Sequence, residues 1–403
     1  MKPTFVRTEC DHAESGAPVA AGGIFGAAMA GLRSGLRRVL AAALLLAAVP
    51  AAAMAAEVVD LAGRRLQIPD RVERIIIGEG RYIPTLAILD RENPVGRLVG
   101  MLGDYEDIDP ANYAHYRARF PDIEKVKRIG RSARDSFSIE QAIAARPQVA
   151  IFGLGGHGPG TRSTEVIRAL EAAGVVIVFV DFRSDPLVNT PRSLELLGKV
   201  LGQEARAAEF LSVWRAALST VTERLARERP DPVRVFVESR VGLGRGCCET
   251  MTRGMMGRFV TAAGGVNVAD ALLPGEAGVV SLEWLITHPP DVYIGTAIGS
   301  GLRDESAWLA LGSGVTETAA RARLAASLAR PGIADLPAVR EGRAYAVWHH
   351  FYNSPFNVAA VQAFAKWLHP ALFADLDPAG LLAELHNRFQ PFPLDGAYWV
   401  SLK

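Results

Sequence analysis

The chain has 403 residues, 49% hydrophobic and 22% charged, with a formal net charge of +1. That length supports two or three domains with cores of their own. The balance of 44 basic against 43 acidic residues gives no bulk reason to bind nucleic acid or an anionic membrane, and the apolar share excludes a disordered chain.

The mean hydropathy of +0.15 is concentrated near the N-terminus. Residues 39–53 read VLAAALLLAAVPAAA, too short for the ~20 residues of a membrane helix. Arg33, Arg37 and Arg38 precede the run, and Ala53-Met54-Ala55 follows it with small residues where a signal peptidase reads. The order of basic region, apolar core and A-x-A site predicts a secretory signal peptide over residues 1–55, cleaved after Ala55. A start at Met29 would give that leader an ordinary length. Its removal shifts the net charge from +1 to −1, since it carries five basic and three acidic residues. Cys247 and Cys248 are then the remaining cysteines, and as neighbours they exclude a disulfide framework. A bond between them would need a strained ring, so two small residues packed at a turn is the expectation.

Beyond the leader, short β-branched runs alternate with amphipathic stretches. Ile75–Ile77, Val149–Phe152 and Val175–Val180 read as strands, with helices over Ser138–Ala145 and Thr164–Ala173 between them. Strand–helix alternation predicts a parallel α/β sheet. From Pro191 to about Glu228 the apolar spacing is helical, through Leu194, Leu197, Val200 and Leu201 and then Phe210, Trp214, Leu218 and Val221. The pattern predicts one long helix of ~55 Å at 1.5 Å per residue, with Pro191 in its first turn. Strands resume at Val233–Glu238, Asp291–Ile294 and Ala344–Trp348, a helix covers Asn357–Lys366, and an irregular Pro-rich tail ends the chain.

Open α/β sheets bind ligands at the carboxyl ends of their strands. That rule selects Gly78-Glu79-Gly80-Arg81-Tyr82, Gly103-Asp104-Tyr105 and the glycine-rich 153–158 loop with His157 in the first half. In the second half it selects the loops holding Arg240 and Arg303 and the dense 348–353 segment of Trp348, His349, His350, Phe351, Tyr352 and Asn353. His115, His288, His369 and His386 stand in helical or helix-end contexts and read as structural. No G-x-S-x-G, H-E-x-x-H or phosphate-binding loop stands in a supporting context, so an enzyme is not expected.

Several motifs, in order and spacing, resemble the substrate-binding proteins of iron-siderophore and cobalamin ABC importers. Val59-Asp60-Leu61-Ala62-Gly63-Arg64 followed by Ile68-Pro69 and Glu73-Arg74-Ile75 is similar to that family's opening hairpin. Ser138-Ile139-Glu140 with Arg146-Pro147-Gln148-Val149 returns in the second half as Ser281-Leu282-Glu283 with Pro290-Asp291-Val292. Gln148 stands where the family has Asp. Gly264-Gly265-Val266-Asn267 and Glu341-Gly342-Arg343-Ala344-Tyr345 complete the set.

The resemblance implies two Rossmann-like α/β lobes bridged by one long α-helix, with the ligand cleft between the lobes. Residues 56–190 would form the first lobe, 191–229 the bridge and 230–403 the second lobe. It implies a monomeric periplasmic receptor that binds no nucleic acid, carries no cofactor and hands a ferric siderophore to an inner-membrane permease. Haem, cobalamin, a nickel complex or a free metal ion are the alternative cargoes, and a hydrolase the alternative class. Arg81, Arg240 and Arg303 would meet the chelate's oxygens, Tyr82, Tyr105, Trp348 and Tyr352 would wall it, and His157, His349, His350 or Tyr352 could reach the metal. Glu140 and Glu283 would dock on the permease.

Overall fold

The computed structural model describes residues 56–132, 136–243, 246–299 and 308–402. The expected leader, residues 1–55, and Arg303 lie outside them. Among the described residues no helix is long and apolar enough to cross a membrane.

The first lobe opens with an antiparallel hairpin, β1 (Ala56–Val59) and β2 (Arg65–Ile68). Asp60 shapes its turn by accepting from Ala62 and Arg64 backbone N–H groups at 3.0 and 2.9 Å. Then come β3 (Ile75–Ile77), α1 (Ile83–Leu89), β4 (Leu98–Met101), α2 (Asp104–Ile108), α3 (Pro110–Arg119), β5 (Lys127–Arg128), α4 (Ile139–Ala144), β6 (Val149–Gly153), α5 (Thr164–Ala172) and β7 (Val176–Val180). The strands form a parallel sheet in the order β5-β4-β3-β6-β7. Its central strands are buried along their length, which is why they read as unbroken Ile and Val runs rather than as alternation.

The continuous helix expected over 191–229 is two helices, α6 (Pro186–Leu201) and α7 (Glu204–Glu228). Gly202 adopts the left-handed conformation (φ 65°) and ends α6, with Gln203 N–H donating back to Gly198 at 2.7 Å. The two apolar stripes therefore lie on separate helices that pack against each other, and Pro191 sits inside α6 rather than in its first turn. α7 carries the connection to the second lobe.

That lobe contains β8 (Val233–Glu238), β9 (Glu249–Met251), α8 (Gly257–Ala262), β10 (Gly265–Asn267), β11 (Ala277–Val279), α9 (Leu282–Thr287), β12 (Val292–Ala297), α10 (Glu317–Leu328), β13 (Ala344–Trp348), α11 (Asn357–Leu368), α12 (Pro378–Phe389) and β14 (Trp399–Ser401). β10, β8, β12 and β13 run parallel, while β9, β11 and β14 add antiparallel edges. The tail is thus not irregular. It supplies α12 and the strand β14, and between them it crosses back onto the first lobe. There Gln390 donates to the Pro84 carbonyl at 3.0 Å and accepts from the Tyr116 hydroxyl. Arg91 donates to the Gln390 carbonyl at 2.7 Å, and Phe392 stacks on His115 with ring centroids 5.0 Å apart.

Cys247 and Cys248 are bonded to each other rather than packed as free thiols. Cys248 is fully buried in the second lobe's core and has a positive φ of 139°.

Candidate functional site

Strand ends from both lobes meet at a cleft of about 390 Å³. The first wall begins at the turn after β3. Gly80 is required there, because a Cβ would stand 2.8 Å from the Leu102 carbonyl oxygen. The close approach lets Gly80 N–H donate to Asp104 at 2.6 Å and places Arg81 beside two carboxylates. Arg81 donates to Glu79 at 2.7 Å and to Asp104 at 3.2 Å. Its remaining reach is across the cleft, to His350 Nδ1 at 3.3 Å and the Tyr352 hydroxyl at 3.2 Å. Burial opposes the charge on Arg81, but Tyr352, Glu79 and Asp104 more than offset it and keep the guanidinium protonated. Burial pushes the Asp104 carboxyl up to about 6 against the pull of Arg81, with Glu79 adding to the rise.

Two further loops complete this wall. His157 follows β6, and its backbone N–H donates to Glu79 at 3.3 Å. Burial, then Arg81, holds its imidazole down at about 4. Arg183 follows β7 on a loop folded around Asp181, whose carboxylate accepts from the N–H groups of Arg183, Ser184 and Asp185 at 2.9, 3.0 and 3.3 Å. The Arg183 guanidinium sits 5.6 Å over the Tyr352 ring and has no carboxylate partner among the described residues.

The second wall comes from the ends of β8, β12 and β13. Arg240, in a left-handed conformation (φ 50°), pairs with Glu249 at 2.7 and 2.8 Å. Its backbone N–H donates to the Thr296 hydroxyl at 2.7 Å, and that hydroxyl is 2.9 Å from His349 Nδ1. His349 and His350 open a short 3-10 turn, His349–Asn353. Both imidazoles are pushed well below their usual range by burial, helped by Arg240 beside His349 and by Arg81 beside His350. They are neutral near pH 7, the state that ligates metals. His349 lines the cleft with its Nδ1 held by Thr296, the arrangement in which an outer hydroxyl orients a ligating imidazole.

The structure therefore brings Arg81, His157, Arg240, His349, His350 and Tyr352 together. It does not bring the other described candidates to the cleft. Tyr82 packs against Phe182, with ring centroids 5.7 Å apart. Tyr105 and Trp348 line a separate, narrower chamber behind it. Glu140 and Glu283 are exposed on the first turns of α4 and α9 and do not line the cleft. Ser138 and Ser281 cap those helices alike, accepting from the third N–H at 3.2 and 3.1 Å. Sequence reasoning missed Arg183, although it follows a strand run directly and the strand-end rule that selected Arg81 also selects it. Met251 and Met255 also line the cleft. Among the described residues no cluster of three or more His, Cys, Asp or Glu is arranged to hold a bare metal ion.

A family model described as "Periplasmic binding protein" matches residues 107–347. No curated protein matches the chain in sequence. Among solved structures, the TroA-like periplasmic binding protein FepB from Veillonella parvula is similar at 22% identity and a TM-score of 0.77, covering 86% of this chain and 99% of that one. CeuE from Helicobacter pylori, solved with Ni(II) bound, is 14% identical with a TM-score of 0.61, covering 84% of this chain and 96% of that one. The periplasmic heme-binding protein RhuT from Roseiflexus is 20% identical with a TM-score of 0.51, covering 75% of this chain and 99% of that one. At these identities the likeness is one of fold.

Proposed function

The chain belongs to the periplasmic binding protein family, and on that premise we propose that it is an exported receptor that captures a ferric siderophore and delivers it to an ABC permease. The cargo is an Fe(III) chelate, and the protein needs no cofactor of its own. One observation carries the choice of cargo: cations and neutral metal-ligating groups converge on one cleft. Arg183, whose guanidinium has no carboxylate partner among the described residues, offers it to chelate oxygens, and Arg240 is paired with Glu249 on the other wall. His349 and Tyr352 stand between them as the groups that would fill coordination positions the chelate leaves open. The cleft volume of about 390 Å³ suits a small molecule rather than a bare ion.

Mass spectrometry of molecules co-purifying with native protein, with metal analysis, tests this reading. An iron-bound organic chelator is expected. Haem, a corrinoid or a nickel complex would keep the receptor role and change the cargo. Stoichiometric zinc with no organic ligand would overturn the reading. Glu140 and Glu283, one on each lobe, are the proposed contacts with the permease. Reversing both charges should abolish uptake and leave chelate affinity unchanged; lost affinity would mean that they serve the cleft instead.

A further inference from the structure

Behind the cleft, along the seam between the lobes, lies a second chamber of about 50 Å³. Arg81 and His350 line both spaces and form the partition. Among the described residues, five polar atoms of its lining residues have no hydrogen-bond partner: Tyr105 Oη and Asp109 Oδ1 from the first lobe, and Trp348 Nε1, His350 Nε2 and His386 Nδ1 from the second. All five side chains are more than nine-tenths buried. Native proteins rarely leave even one such group unsatisfied, and here several share one cavity.

The chemistry of these atoms narrows the occupant. The Arg81 guanidinium only donates, so His350 Nδ1 accepts from it and His350 carries its proton on Nε2. His386 Nδ1 donates or accepts according to its tautomer. Trp348 only donates and the Asp109 oxygen accepts, while the Tyr105 hydroxyl does either. An anion would face the Asp109 carboxylate. A metal cation would face the N–H groups of Trp348 and His350. An apolar guest would leave all five atoms unpaired. Water both donates and accepts and so satisfies both kinds of group, and the volume corresponds to about four molecules at 10–15 Å³ each.

We propose that the seam chamber is a solvent-binding site that holds a hydrogen-bonded cluster of about four ordered waters bridging the two lobes. The cluster links Tyr105 and Asp109 to Trp348, His350 and His386, none of which bond each other directly across the seam. It stands whatever cargo the cleft takes.

A high-resolution crystal structure of the ligand-free protein is expected to show water peaks within hydrogen-bond distance of these five atoms. An empty chamber, or density for an organic molecule or an ion, would overturn the proposal. A xenon soak separates the same outcomes, because xenon enters dry cavities and should stay out of this one. Thermal melting of Tyr105→Phe gives a third reading that needs no crystal. Losing a hydroxyl bonded to water should lower the midpoint by about 1–2 °C, whereas losing an unpaired buried hydroxyl should raise it.

Discussion

The two lobes build their halves of the cleft from different materials. The first, on an all-parallel sheet, contributes charge: Arg81 locked between Glu79 and Asp104, and Arg183 with no carboxylate partner among the described residues. The second, on a sheet with antiparallel edges, contributes neutral rings, with His349, His350 and Tyr352 on one short turn. Its own cation, Arg240, is held by Glu249. The contrast separates two uses of arginine. Arg81 spends its donors on buried carboxylates and on the opposite lobe, so it holds the seam. In the proposed function Arg183 keeps its donors for a ligand.

The sharpest way to break this contrast is Arg81→Met. It would strand Glu79 and Asp104 as buried carboxylates and should cost about 3–5 kcal/mol in urea-induced unfolding. A cost as small as that of a surface arginine would deny Arg81 its holding role. Acid should act next. His157 and His386, held at about 4, and His349 and His350, held well below the usual imidazole range, take up protons mainly on unfolding as the pH falls from 6.5 toward 4.5. Asp104 and Asp109, raised to about 6 mainly by burial, act in the opposite sense and favour the folded state at low pH. Four imidazoles against two carboxyls leave a net uptake of about two protons, so stability should fall toward pH 5, each net proton contributing ~1.4 kcal/mol per pH unit. Denaturation at pH 7, 6 and 5 measures it; a flat profile would mean that the imidazoles are not held neutral.

Arg183→Ala should lower chelate affinity by about 10–100-fold, as expected for a lost charge-assisted contact, and leave the urea midpoint in place. Quenching of tryptophan fluorescence by a ferric chelate gives the affinity. The reverse pattern, stability lost and affinity kept, would merge the two arginines into one role. The smallest effects probe what the lobes share. Ser138→Ala and Ser281→Ala each remove a helix N-cap and should each cost about 1 kcal/mol, one per lobe, by the same denaturation assay.

Much of the fold was legible because parallel strands buried on both faces announce themselves. Ile75–Ile77 and Ala344–Trp348 appear with the expected bounds. The helix break at Gly202 was hidden, because apolar spacing continues on both sides and one glycine reads as tolerable inside a helix. The tail's helix and strand were hidden by its prolines; Pro378 is a first-turn residue, not a breaker. In the site, the strand-end rule located loops but not the direction of side chains. Tyr82 and Tyr105 lie on the selected loops yet turn into the core, where apolar neighbours pay for their burial. Nor could sequence separate Arg81 from Arg183, since the carboxylates that occupy Arg81 meet it only in three dimensions.

The strap of residues 390–392 bears on the order in which the molecule is made. Synthesis delivers the first lobe early, but the groove at Pro84, Arg91 and Tyr116 waits for Gln390 and Phe392, some 300 positions later in the chain. Contacts of such long separation form late and slow folding. Until they form, the first lobe carries an uncovered seam that invites a wrong partner, so a chain kept unfolded until its last residues are joined runs less risk than one that folds lobe by lobe.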